Sequence, residues 1–210
     1  MKDDDSPSAA SLIPARPTLP KLQAAAAHCE ACDLWKTGTQ TVFGQGKRSS
    51  IVMFVGEQPG NYEDLEGRPF VGPAGKLLDK ALAEAGIERA KVYVTNVVKH
   101  FKWEPRGKRR IHKKPNAVEI NACRPWLDAE IHVIQPRAIV CLGSTAAHAL
   151  IGPKFRVSLQ RATFVPSALA PFVTATVHPS SILRAPTDEA RRQETERFIE
   201  DLKKIRKAIG

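Results

Sequence analysis

The sequence predicts an α/β fold: a single-domain, three-layer α/β/α arrangement with a mostly parallel central sheet. Three observations carry this expectation. Four short runs, IVMFV (51–55), VYVTNVV (92–98), AIVCLG (138–143) and FVTATV (172–177), are rich in β-branched residues and nearly free of charge, as strands covered on both faces are. Segments of helical period separate them, and strands that alternate with helices pair in parallel through right-handed crossovers. The 210 residues, 42% hydrophobic and 26% charged, suit one compact domain with a tail.

Residues 1–20, rich in Pro, Ser and Ala, are expected to form a flexible N-terminal tail ahead of a domain spanning 21–210. Leu22 to His28 is alanine-rich and reads as a short helix leading to Cys29. The first strand ends at Gly56, and GKLLDKALAEAG (75–86) follows as a helix. Leu77, Leu78, Ala81, Leu82 and Ala85 share one face of it, and Gly86 stops it. Residues 117–134 repeat the helical period through Val118, Ala122, Trp126, Leu127 and Ile131, with Pro125 predicting a kink or a break. STAAHAL (144–150) is the helix behind the third strand. A last helix, roughly 188–208, buries Phe198, Leu202, Ile205 and Ile209.

The formal net charge of +10 favours an anionic polymer as partner, with nucleic acid the commonest. No stretch approaches the ~18 consecutive apolar residues of a membrane span, so no membrane partner is expected. The start is acidic and lacks the apolar core of a secretory signal, which points to the cytoplasm, the bacterial cytosol in particular. In that compartment four cysteines argue for metal or redox chemistry rather than disulfides. Cys29 and Cys32 form a C-x-x-C pair, Cys123 lies far along the chain, and Cys141 sits mid-strand as a small core hydrophobe. His100, just past the second strand, is the candidate fourth donor. Three sulfurs and a nitrogen suit zinc or an iron–sulfur cluster, and spacing does not separate the two.

In sheets of this kind the working residues gather at the carboxyl ends of the strands. GEQPG (56–60), Asn96 with its following loop, GSTAA (143–147) and HPSSIL (178–183) all fall there. One further segment, GKRRIHKKP (107–115), surrounds His112 with Lys108, Arg109, Arg110, Lys113 and Lys114. By itself it reads as a solvated, phosphate-gripping surface loop.

GEQPGNYEDLEGRPFVGPAGKLL (56–78) resembles motif A of the uracil-DNA glycosylase superfamily, especially its iron–sulfur family 4 branch, and HPSSIL resembles motif B. TNVVKH (95–100) and CRPWL (123–127) resemble the blocks around that branch's third and fourth cluster ligands. Three departures stand out: Gln58 in GEQPG where the branch reads GEAPG, His100 in place of a cysteine, and the basic insertion KHFKWEPRGKRRIHKKP. All three resemble UdgX, the offshoot that bonds covalently to uracil-containing DNA through the histidine of its KRRIH loop.

The resemblance implies the uracil-DNA glycosylase fold and a catalytic domain at 21–210 with a long basic loop at 101–115. It implies a [4Fe-4S] cluster on Cys29, Cys32, His100 and Cys123, with zinc as the alternative. The implied partner is uracil-containing DNA, single-stranded at least, met by a monomeric DNA-repair enzyme. Around uracil, Phe70 would stack on the base, Asn96 would read its edge, and the Gly56–Gly60 loop would approach it with backbone amides. Gln58 would form the pocket wall. His178 would donate to the carbonyl oxygen that gains charge as the N-glycosidic bond breaks. Ser180 and Ser181 would pinch the DNA backbone, and Leu183 with Arg184 would fill the space left by the flipped base. Lys108, Arg109 and Arg110 would hold phosphates and bring His112 to C1′, with Glu57 accepting or orienting its proton. That reading makes a single-turnover glycosylase trapped on its own product. The alternative is a conventional turnover enzyme of the family 4 type whose basic loop only binds phosphates. A non-enzymatic nucleic-acid-binding module is disfavoured by GEQPG and HPSSIL, which a plain binding surface does not need.

Overall fold

The computed structural model describes residues 7–210. In chain order its strands are β1 (Val52–Gly56), β2 (Val92–Asn96), β3 (Trp103–Arg106), β4 (Arg109–His112), β5 (Ala138–Leu142) and β6 (Phe172–Thr176). Its helices are α1 (Leu19–Ala26), α2 (Asn61–Glu66), α3 (Pro73–Glu84), α4 (Ala117–Ile134), α5 (Ser144–Leu150), α6 (Val157–Gln160), α7 (Pro179–Leu183) and α8 (Asp188–Ile209). Four strands form the central sheet in the order β2-β1-β5-β6, every pair parallel, as expected of strands joined by helical crossovers.

Alternation of side chains along each strand divides the core in two. Met53, Val55, Ile139, Cys141 and Val173 face one side, where α4 covers them with Trp126 and Leu127. Val52, Phe54, Val94, Val140 and Leu142 face the other, under Leu78 and Leu82 of α3 and Phe198, Leu202 and Ile205 of α8. The register pairs Gly56 with Asn96, so β1 and β2 end level and deliver their following loops to one edge of the sheet.

Helix ends follow local chemistry. Asn116 and Glu119 cap α4 reciprocally, each side chain accepting the other's backbone N–H. Thr187 caps α8 through the N–H of Ala190. The first helix begins at Leu19 rather than Leu22, because Thr18 caps it and a proline occupies its first turn. Pro125 does not break α4: the helix runs through it, with Trp126 and Leu127 fully buried immediately beyond.

Two further segments gain detail from the structure. Residues 1–6 of the expected tail lie outside the described residues, and within the rest of it Ala9 is held against the domain. Ala9 is completely buried, and its N–H donates to the Ala122 carbonyl at 2.9 Å, so this stretch docks on α4. The expected basic loop at 101–115 contains a hairpin. β3 and β4 pair antiparallel from Trp103↔His112 to Arg106↔Arg109, closed by a two-residue turn at Gly107–Lys108. Gly107 sits at φ 58°, the left-handed conformation that tight hairpin turns require. Among the described residues no helix is long and apolar enough to cross a membrane.

Candidate active site

A cavity of about 730 Å³ opens at the carboxyl ends of the sheet strands. It brings together the four segments singled out at strand ends, lined by Glu57, Gln58 and Gly60, by Asn96, by Gly143, Ser144 and Thr145, and by His178, Ser180 and Ser181. Phe70, Arg184 and His112 complete the walls relevant to chemistry.

Glu57 follows β1 and stands between two partners. One carboxylate oxygen, Oε1, lies 3.2 Å from Nε2 of His112 on the hairpin. The other, Oε2, accepts the hydroxyl of Thr145 in the first turn of α5. Burial pushes this carboxyl up. The hydrogen bonds from His112 and Thr145, with the charges of His112 and Lys114, outweigh that and hold it below the usual carboxylate range. His112 is half-exposed, so its ring reaches the cavity and the solvent that leads to it.

His178 precedes α7 and is fixed by its own motif. Its Nδ1 accepts the Ser180 N–H at 3.1 Å and the Ser180 hydroxyl at 2.8 Å. A nitrogen that accepts a backbone N–H carries no proton, so the ring's proton resides on Nε2. Burial pushes the imidazole down to about 4; the Glu57 charge opposes this, and Arg184 and His112 reinforce it. At neutral pH the ring is therefore an uncharged donor. The backbone comes this close only because residue 143 is glycine: it adopts φ 88°, and a Cβ there would meet the His178 Cβ at 3.2 Å.

Phe70, held in the left-handed region at φ 57°, stacks against His178 with ring centroids 6.1 Å apart. Asn96 is 3% exposed at the end of β2, and its Oδ1 would lie 2.3 Å from a Cβ placed on Gly56. Gly56 thus leaves room for the amide and for the Phe70 ring beside it. Gly60 lines the same wall.

Several roles expected from the sequence are altered by what these side chains touch. Gln58 borders the cavity, but its amide is committed to the hairpin. Its Nε2 donates to the carbonyls of Lys102 and Lys113 at 3.1 and 3.2 Å, and its Oε1 accepts the Lys102 N–H at 3.1 Å. Arg110 is not a free phosphate ligand. It donates to Asp64 at 2.6 Å and to Asn61 at 2.8 Å, with its guanidinium over the rings of Phe101 and Trp103. Ser181 donates to the His178 carbonyl at 2.7 Å, so both serines shape their own turn. Lys108 and Arg109 are exposed at the hairpin tip, Leu183 is 37% exposed, and Arg184 lies at the cavity wall, all open to a polyanion. Sequence reading passed over Thr145 and Asp64. Both lie within quoted segments, GSTAA and the 56–78 stretch, but neither was given a role, because their partners lie 88 and 46 residues away.

The structure sets Cys141 apart from the other three cysteines. Cys141 is fully buried in β5, and burial pushes its thiol up to about 12. Cys29, Cys32 and Cys123 are near neighbours: burial pushes Cys123 up to about 12, Lys99 opposes this, and Cys32 and Cys29 add to it. Trp126 Nε1 and the Lys99 N–H donate to Cys29 Sγ and Cys123 Sγ, each at 3.3 Å. His100 is buried with Nε2 2.9 Å from the Thr41 hydroxyl, which itself donates to the Ala26 carbonyl at 2.8 Å. The Thr41 proton is thus used, His100 Nε2 is the donor, and Nδ1 keeps the free lone pair that a metal ligand needs. Among the described residues no three Cys, His, Asp or Glu side chains converge tightly enough to share a single ion. The donor chemistry of three thiols and an oriented imidazole nonetheless fits an iron–sulfur cluster.

The uracil DNA glycosylase superfamily model matches residues 43–203. Proteins named type-4 uracil-DNA glycosylase are similar to the chain. That of Thermotoga maritima is 39% identical over 86% of this chain and 89% of its own length. That of Archaeoglobus fulgidus is 36% identical over 87% and 88%. That of Sulfurisphaera tokodaii is 46% identical over 60% of this chain, a match spanning about half (54%) of the relative's length. A family match that begins at Phe43 ahead of β1 and ends at Lys203 within α8 takes in the whole central sheet and every wall of the cavity, so the chain belongs to the uracil DNA glycosylase superfamily.

Proposed function

We propose that this chain excises uracil from DNA by cleaving the N-glycosidic bond of a nucleotide flipped into the cavity. The observation that carries the reading is the convergence of Phe70, Asn96 and a neutral, Nε2-protonated His178 on one cavity. Phe70 stacks on the base and Asn96 reads its edge. As uracil departs with the bonding electron pair, His178 donates to the carbonyl oxygen that gains charge, a role supplying about 3 kcal/mol in comparable sites. The exposed cations of the hairpin tip, with Arg184, receive phosphates. Cys29, Cys32, His100 and Cys123 would hold an iron–sulfur cluster, which would supply a structural tie between the N-terminal segment and both flanks of the hairpin.

Two fates are open to the cation left at C1′. The comparisons favour the first, in which water adds, loses its proton to Glu57, and the enzyme turns over. The Thermotoga maritima and Archaeoglobus fulgidus relatives, which match 86% and 87% of the chain, carry the type-4 name. One observation favours a second reading, the capture seen in UdgX: His112 lines the cavity with Nε2 3.2 Å from Glu57. A ring nitrogen would bond to C1′, and the proton remaining on the other nitrogen would pass to Glu57. The resulting neutral N-alkyl imidazole is a poor leaving group.

Incubation with excess single-uracil oligonucleotide tests all of this. Several uracils released per protein molecule, with no shifted band on a denaturing gel, is the outcome expected of turnover. One uracil per molecule and a detergent-stable band, lost in His112→Ala, establishes capture instead. No release from single- or double-stranded substrate overturns the proposal.

A further inference from the structure

We propose that Thr145 is a positioning residue for the cleavage reaction: its hydroxyl holds one oxygen of Glu57 so that the other is presented to the cavity and to His112. The inference rests on the glycosylase reading above and holds for either fate of the C1′ cation. Glu57's own backbone is already fixed, since its carbonyl accepts the Val98 N–H at 3.0 Å. The rotation of its side chain is held by two contacts, the half-exposed His112 at Oε1 and the buried Thr145 hydroxyl, which donates to Oε2. The threonine is 5% exposed, in a helix whose Ala146 and Ala147 are completely buried against the sheet. Its hydroxyl therefore points from a rigid wall rather than from a mobile loop.

The division of labour within the carboxylate is what matters chemically. Oε2 is occupied by Thr145, and Oε1 faces the one imidazole that can exchange a proton with it. Groups facing Glu57 come from three directions: His112 and Lys114 from the hairpin side, His178 from the turn before α7, and Thr145 from α5. Of the uncharged groups facing Glu57, Thr145 is the one that hydrogen-bonds it, through a hydroxyl donated to Oε2. Its removal would therefore free the carboxylate to rotate and withdraw one of the two hydrogen bonds that favour its ionised form, while the cations stay in place.

The test compares Thr145→Val and Thr145→Ser in the wild-type and Glu57→Gln backgrounds, using single-turnover uracil release across pH and separate measurement of oligonucleotide affinity. Thr145→Val is expected to slow release about 10- to 100-fold, the range for loss of one hydrogen bond to a charged group. Affinity should stay within about twofold, because Thr145 does not touch the DNA backbone in this reading. The acid limb of the pH–rate profile should move to higher pH, since a carboxylate that loses a stabilising donor protonates more easily. Thr145→Ser should restore both, and Thr145→Val should add nothing once Glu57 is already glutamine. An unchanged rate and pH limb, an equal loss in the Glu57→Gln background, or failure of serine to restore would each overturn the proposal. Should valine prevent folding, Thr145→Ala makes the same comparison. Wild-type protein that releases no uracil would overturn the function and this inference together; active wild type with an indifferent Thr145→Val overturns the inference alone.

Discussion

The central sheet and the hairpin β3–β4 meet at one cavity but are held there by different forces. All five residues of β1, β2 and β5 are buried, and apolar layers cover both faces of the sheet. The buried Lys99 ammonium inside that core is fully partnered, donating to Thr95, to the Asn96 carbonyl and to Glu130. Lys99 and Glu130, 1% and 0% exposed, pair at 2.6 Å, and Glu130 also accepts from Tyr93, Thr95 and the Gly44 N–H. The hairpin has no such core. Most of its residues are exposed, and a two-stranded ribbon alone is marginal in water. It is stapled from outside: by Gln58 at its base, by Arg110 to α2, and by Trp103 Nε1 to the Thr37 carbonyl at 2.9 Å. The difference teaches which site groups the fold itself guarantees. Glu57, Asn96, Thr145 and His178 ride on the sheet, whereas His112 depends on a few polar contacts that single substitutions can remove.

The largest expected effect lies on the sheet side. Glu130→Ala leaves Lys99 buried without its partner and should cost about 3–5 kcal/mol in chemical denaturation. A loss below about 1 kcal/mol would show that the pair does not anchor the sheet. Next comes the contrast between site groups. His178→Ala should lower first-uracil release about 100- to 1,000-fold, while His112→Ala stays within about tenfold of wild type. Equal losses would erase the distinction between sheet-borne and hairpin-borne chemistry. Arg110→Ala should cost on the order of 2 kcal/mol and speed limited proteolysis at the Gly107–Lys108 turn, with the rest of the domain intact. A hairpin as protected as in wild type would mean that Gln58 and Trp103 suffice. The smallest effect belongs to the tip: Lys108→Ala and Arg109→Ala should each reduce the salt dependence of DNA binding by roughly one unit of log–log slope, with stability unchanged.

This contrast also marks what could be read in advance. IVMFV, AIVCLG and FVTATV were legible as strands because burial on both faces favours uncharged, largely apolar and β-branched runs, and they differ from β1, β5 and β6 by a residue at the ends. The meeting of GEQPG, Asn96, GSTAA and HPSSIL was legible because a parallel sheet sends all its carboxyl ends to one edge. The hairpin was not. Charge at Glu104, Arg106, Arg109 and Arg110 hid its pairing, and its anchors are distant in sequence: 44 and 55 residues separate Gln58 from the two carbonyls it binds. The docked segment around Ala9 failed for the same reason, since its partner carbonyl belongs to Ala122.

The order of apolar runs and turns thus determined the layers, the parallel sheet and the edge at which chemistry collects, because those follow from local period and from the burial each period demands. Which polar side chain would spend its hydrogen bonds on structure was settled only in three dimensions. Arg110 looked like a phosphate ligand until Asp64 stood beside it, and Thr145 looked like part of a helix until Glu57 reached it. A donor's role depends on the acceptor nearest to it in space, and the chain brings that acceptor close only after the core has closed.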